Sequence, residues 1–333
     1  MSSGTIYFVK TGLILFSVIV SLLSGPRSVA ADLSESFSLV YKTPLALTAD
    51  EHNRLRKFQF YLVPGILSES FISKDNRSKV NFSNLTEDYF GAQENLLKQK
   101  YGLFAERLSS SSRSVEEIRI NIRKALDAAK TAQKKAFFVT HSLGGLALLE
   151  ELIANPKAQK DVGGILFLQS PFKGTPVADL YFEYPYLLGL WMKPVLPLVN
   201  TTEETLRYLG TRSRTQFMNE NAPAIQKLVA GLPILTVGGV ANGHRSLFSP
   251  SIDILETGCV KSVFSFCVTI NLYAGPYSKS DGMVPFESSR LEGADFVRLE
   301  GVDHGETVVG IPFETFNKAD LTLALLKLMI PKL

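Results

Sequence analysis

The sequence predicts an α/β fold with a mainly parallel central sheet and helices on both faces. Three observations carry this expectation. Short runs of apolar and β-branched residues alternate with longer helix-period patterns, as crossover units require. Those runs are apolar almost throughout, which suits strands buried on both faces. The chain has 333 residues, 45% hydrophobic and 20% charged, enough for a sizeable core. The expected strands are Phe58–Val63, Gly102–Ala105, Ala136–Thr140, Gly164–Gln169, Pro233–Val237 and Asp295–Leu299. The expected helices are Glu87–Lys100, Val115–Thr131, Leu143–Ala154, Ala224–Ala230 and Phe316–Met329. No internal repeat or low-complexity tract interrupts the alternation.

The first 30 residues stand apart. Lys10 precedes the apolar run Leu13–Leu23, followed by Ser24-Gly25-Pro26 and the small-residue site Ser28-Val29-Ala30. This is the layout of a secretory signal cleaved near Ala30, and the apolar run is short for a membrane span. An uncleaved N-terminal anchor is the alternative. Residues 31–333 then form one domain, secreted or periplasmic. Removing Lys10 and Arg27, with no acidic residue, takes the formal charge from +3 to +1. A nearly neutral chain without a basic tract gives no electrostatic case for a nucleic-acid partner. Cys259 and Cys267 are the only cysteines. In an exported chain they are expected to form a disulfide, and no metal-ligand spacing accompanies them.

From about 179 to 221 the alternation gives way to an aromatic, Pro-rich stretch, "YFEYPYLLGLWMKPVLPLV". So long a connection between core elements reads as a lid insertion. An additional helical layer is the bland alternative.

The chemistry centres on Thr140-His141-Ser142-Leu143-Gly144. It matches a G-x-S-x-G elbow with Thr in the first Gly place, between an expected strand and helix. A serine hydroxyl is a weak nucleophile and needs a base, an acid to orient that base, and oxyanion donors. Of the four histidines, His52 lies in a charged stretch, His141 adjoins the serine, and His244 sits in a polar loop. His304, in "VDHGET", follows the last strand and is the expected base. Asp281, in "SKSDGMVP", lies between serine and histidine in the order Ser…Asp…His and is the expected acid; Asp303 is the local competitor. Leu143 should supply one oxyanion amide. Ile66, after Pro64-Gly65 in "FYLVPGILSES", should supply the other, with Leu67 the alternative. Leu67, Tyr184 and Trp191 are the candidate substrate contacts.

Taken in order, these motifs resemble the secreted α/β-hydrolase lipases and esterases of the bacterial true-lipase type. "LVPGIL" resembles the oxyanion loop, "THSLGG" the elbow and "SPFKGTPVADL" the segment ahead of the lid. "ETLRYLGTRSRTQFMNENAPA" is similar to the post-lid segment, "SDGMVP" to the acid loop and "DHG" to the histidine loop. The resemblance implies an α/β-hydrolase fold with a helical lid and hydrolysis of fatty-acid esters through an acyl-enzyme, with a lipid or other ester as substrate. A peripheral membrane protein using "YFEYPYLLGLWM" as an interfacial anchor is a further reading, compatible with lipase action because a lid that opens onto lipid also makes transient contact with a lipid interface. Pro64 stands where many relatives carry His. Glu306 and Gly310 occupy places where calcium-binding relatives have a carboxylate and a Gln, with no acidic partner upstream of Asp281, so neither metal nor cofactor is expected. Some relatives use a folding helper, which these residues do not address. A phospholipase, polyester depolymerase or acyltransferase would use the same site; a non-catalytic lipid-binding or adhesion module is the alternative from another class.

Overall fold

The computed structural model describes residues 30–43, 45–66, 68, 88–109, 114–184, 201–242, 255–257, 259–261, 267–269, 279–310 and 317–333. Among these the strands are β1 (Phe58–Val63), β2 (Ala105–Arg107), β3 (Lys135–His141), β4 (Val162–Leu168), β5 (Ile234–Val240), β6 (Cys259–Lys261), β7 (Cys267–Thr269) and β8 (Asp295–Glu300). All but β6 and β7 form one sheet in the order β2-β1-β3-β4-β5-β8. Every pairing in it is parallel. Crossover helices cover both faces, because the strands are apolar on both. Phe60, Leu62, Phe137, Val139, Leu166 and Leu168 point into one core. Their neighbours Tyr61, Val63, Phe138, Ile165 and Phe167 point into the other.

The described helices are α1 (Ser34–Tyr41), α2 (Ala49–Leu55), α3 (Gly91–Asn95), α4 (Val115–Thr131), α5 (Leu143–Ala154), α6 (Pro176–Glu183), α7 (Glu203–Leu209), α8 (Thr211–Glu220), α9 (Ala222–Gly231) and α10 (Lys318–Met329). Phe37 of α1 and Leu321 and Leu325 of α10 close the first core. Ile118 and Ile122 of α4, Leu146 and Leu149 of α5, and Ile225 and Leu228 of α9 close the second. Helix α4 shows why these segments coil. Ser114 caps its first turn by accepting from the Glu117 amide, Glu116 and Glu117 complement the dipole, and Ile118, Ile122, Ala125, Leu126 and Ala129 form the buried stripe.

Two sequence expectations shift because of a left-handed residue. The helix expected over Glu87–Lys100 begins only at Gly91, because Phe90 stands at φ 60°. It then runs into a π-helical turn, Leu96–Lys100, that buries both Leu96 and Leu97. The strand expected over Gly102–Ala105 starts instead at Ala105, since Gly102 is a turn residue at φ +59°.

Strands β6 and β7 pair antiparallel, with Cys259 opposite Thr269 and Lys261 opposite Cys267. The cysteines are therefore diagonal rather than facing. Diagonal positions have Cα atoms roughly 7–8 Å apart, beyond the usual disulfide span, so the expected Cys259–Cys267 bridge does not follow from this register. Of the expected signal segment, residues 1–30, all but Ala30 lie outside the described residues. No described helix is long and apolar enough to cross a membrane.

The segment expected to be a lid is helical at both ends, and those ends are tied down. Asp179 of α6 accepts from the Thr211 amide (3.0 Å) and hydroxyl (2.5 Å) at the start of α8. Arg214 of α8, only 1% exposed, donates from Nη1 to Glu150 Oε1 of α5 at 2.5 Å. Its guanidinium also lies over the rings of Tyr208 and Phe217. Glu150→Ala would leave that buried cation unpaired, at a cost of about 3–5 kcal/mol. Urea unfolding of the variant should show the loss as a lower midpoint at constant slope; an unchanged midpoint would mean the pair anchors nothing.

Candidate active site

The strand order reverses between β1, which feeds β2 on one side, and β3 on the other. Crevices at such points, at the carboxyl ends of parallel strands, are where ligands bind. Ser142 sits there, between the end of β3 and the start of α5, at φ 51° and ψ −124°. That conformation is costly for a residue with a Cβ. It is held by the Ser142 amide donating to the Leu168 carbonyl (3.0 Å) and the Gly145 amide donating to the Ser142 carbonyl (3.1 Å).

The glycines around the elbow are steric requirements. A Cβ on Gly144 would lie 2.5 Å from the Val63 carbonyl oxygen, and one on Gly145 2.0 Å from Ser170 Oγ. A Cβ on Gly65 would meet Ser142 Cβ at 2.7 Å. Thr140, in the first Gly place, pairs between Val63 and Phe167 and is fully buried. Its Oγ1 has no hydrogen-bond partner among the described residues. Compactness, not polarity, suits it to the turn.

Two side chains from two other loops converge on the elbow. His304 Nε2 lies 3.0 Å from Ser142 Oγ, and its Nδ1 lies 2.9 Å from Asp281 Oδ2. The serine hydroxyl can donate to Nε2 when Nδ1 carries the proton, and Asp281 favours that tautomer. All three residues are buried. Asp281 Oδ1 accepts from the Met283 (2.9 Å) and Val284 (2.7 Å) amides, so the carboxylate is held at both oxygens. Its carbonyl also accepts from the His304 amide at 3.0 Å, which joins the two loops. Asp303 is turned elsewhere: its carboxylate accepts from the Gly305 and Glu306 amides, and burial pushes it above the usual carboxylate range.

No family model matches the sequence, and no curated protein is significantly similar to it. Solved structures are similar in fold. A metagenomic carboxyl esterase, MGS0156, superposes over 87% of this chain and 79% of its own, with 17% identity and a TM-score of 0.61. The mature form of Bacillus licheniformis lipase BlEst2 does so over 86% of this chain and 96% of its own, with 14% identity and a TM-score of 0.56. The chain has the α/β-hydrolase fold.

Within that α/β-hydrolase fold, Leu143 opens α5, so its amide is one of the first-turn donors without an intrahelical acceptor. Ile66 follows Gly65 directly above the elbow and is half-buried. Tyr184 caps the C-terminal end of α6, half-buried, its amide donating to the Leu180 carbonyl. Leu67, Trp191 and His244 lie outside the described residues. His52 is half-buried, with Nε2 2.8 Å from the Tyr101 carbonyl. The "GTPVAD" string braces the acid loop: Thr175 Oγ1 donates to the Met283 carbonyl, and Ser288 Oγ donates to the Gly174 carbonyl at 2.6 Å. No cluster of His, Cys, Asp and Glu among the described residues could hold a metal ion.

Two residues of this network went unread in the sequence. Gln169, just after β4, donates from Nε2 to Asp281 Oδ2 and to the Asp303 carbonyl, both at 2.9 Å. Tyr89 receives the Gly65 amide (3.0 Å) and donates its own hydroxyl to His141 Nδ1 (2.5 Å). His141 Nε2 in turn donates to the His304 carbonyl at 2.8 Å. Both ring nitrogens of His141 are thus engaged by groups other than the serine hydroxyl, and through Tyr89 the ring ties the Gly65 loop to the His304 loop.

Burial, with the nearby His304 ring, holds His141 well below the usual imidazole range. The folded chain therefore keeps it neutral, while the unfolded chain protonates it below about pH 6.5. Stability should fall as pH drops through that value, with His141 contributing up to about 1.4 kcal/mol per pH unit. Urea unfolding between pH 7.5 and 5 should show that part of the slope missing in His141→Gln. Equal slopes in both proteins would mean His141 is not neutral when folded.

Proposed function

We propose that this protein is a serine hydrolase that cleaves carboxylic esters of lipids through a covalent acyl-enzyme. The observation that carries the reading is the continuous hydrogen-bonded line from Ser142 Oγ through His304 to Asp281 Oδ2. Support also comes from the two similar structures, one named a carboxyl esterase and the other a lipase. Ser142 Oγ attacks the ester carbonyl carbon while His304 Nε2 takes its proton and Asp281 stabilises the imidazolium. The Leu143 and Ile66 amides hold the oxyanion. His304 then protonates the leaving alcohol, and the same nitrogen activates water to release the acid.

The aromatic, Pro-rich stretch carrying Trp191, between α6 and α7, is by composition the proposed apolar cover and interface contact. Export after cleavage near Ala30 belongs to the same proposal. A p-nitrophenyl ester series from acetate to palmitate, with and without emulsified triglyceride, tests the substrate class. Longer acyl chains should give the higher kcat/KM. A preference for acetate would move the proposal to short esters, and cleavage of none would overturn it.

A further inference from the structure

We propose that Gln169 is a positioning residue that locks the acid and the histidine loop into one unit; this rests on the hydrolase reading above. Gln169 stands at φ 50°, a left-handed conformation that glycine or asparagine adopts more readily. Its amide donates to the Val237 carbonyl at 2.7 Å, which closes the top of the ladder between β4 and β5. The side chain is fully buried and uses every polar atom of its head group. Nε2 spends its two protons on the Asp281 carboxylate and the Asp303 carbonyl, and Oε1 accepts from Thr307 Oγ1 at 2.7 Å. The partners fix the amide's orientation, because a flipped head group would set its oxygen against two acceptors. The neighbouring strand makes room for it: a Cβ on Gly239 would lie 2.8 Å from Gln169 Nε2 and 2.9 Å from Asp281 Cβ.

The consequence is specific. Asp281 Oδ2 accepts from both His304 Nδ1 and Gln169 Nε2, so its position is set before His304 moves a proton. The same amide grips the residue preceding His304 and, through Thr307, a residue following it. One side chain thus spans acid and base loops that are far apart in sequence. Displacement of a reacting group by an ångström can cost about a hundred-fold in rate, and Gln169 is placed to prevent that.

The test compares wild type, Gln169→Met, Gln169→Glu and Thr307→Val, with kcat and KM for a p-nitrophenyl ester normalised to active sites titrated by a fluorophosphonate. Gln169→Met keeps the volume and removes the head group; kcat per active site should fall about 10- to 100-fold with KM nearly unchanged. Gln169→Glu keeps the shape. Its new carboxyl would face Asp281, Asp303 and His304, with His141 behind, and can donate only while protonated. Its kcat should exceed that of Gln169→Met at low pH and then decline as pH rises, a limb that wild type lacks. Thr307→Val, the milder change, should lower kcat in the same direction if Gln169→Met does not fold. Wild-type kcat per active site in the variants that fold would overturn the proposal, as would losses confined to active-site concentration. Wild type that neither reacts with the probe nor cleaves ester would overturn the hydrolase reading itself.

Discussion

Ser142→Ala should lower ester turnover by about 10⁴-fold or more while leaving the fold intact. The hydroxyl is the atom that His304 Nε2 faces at 3.0 Å, and nothing else on the elbow can replace it as nucleophile. The backbone does not depend on that hydroxyl. The elbow is held by the Ser142 amide and carbonyl and by the close approach of Gly65, Gly144 and their neighbours. Ser142→Gly sharpens the expectation. At φ 51° the wild-type residue stores strain that glycine does not, so this variant should gain about 1 kcal/mol of stability and lose the same turnover. Thermal melting beside initial rates would read both signs. Turnover retained by either variant would remove Ser142 from the chemistry.

Asp281→Asn should cost about 10⁴-fold in kcat, and the reason lies in how the carboxylate is held. Oδ1 takes two backbone amides, from Met283 and Val284, so the oxygen of an introduced amide would stay on that side. Its NH₂ would then point at His304 Nδ1 and Gln169 Nε2, where wild type presents an acceptor. To accept that hydrogen bond, His304 must carry its proton on Nε2, the atom that has to receive the serine proton. The charge is lost and the tautomer reversed together. Rate measurements across pH 5–9, with melting to verify folding, check this; a loss below about ten-fold would mean Asp281 does not orient His304.

The central strands were legible because parallel strands buried on both faces are apolar almost without interruption. Phe58–Val63 has the expected limits, as do Val115–Thr131 and Leu143–Ala154. Local backbone geometry was not legible. Phe90 at φ 60° delays the start of one expected helix, and the short helices α1 and α2 offer too few turns for a period to emerge. The elbow was read from spacing, since a tight strand-to-helix turn constrains adjacent residues. Gln169 could not be read that way. Its partners Asp281 and Thr307 are 112 and 138 residues away, and a glutamine after a strand carries no signal of its own. Tyr89 is similar, joined to His141 across 52 residues. Motifs record contacts along the chain; the long-range polar network that orients them appears only in three dimensions.

The most direct test of the hydrolase reading is to locate the adduct of a fluorophosphonate probe on the full chain by peptide mass spectrometry. The account predicts a single modified residue, Ser142, with labelling slowed while an excess of a long-chain ester is present. An unmodified Ser142 in folded protein, or an adduct on another residue, would contradict it.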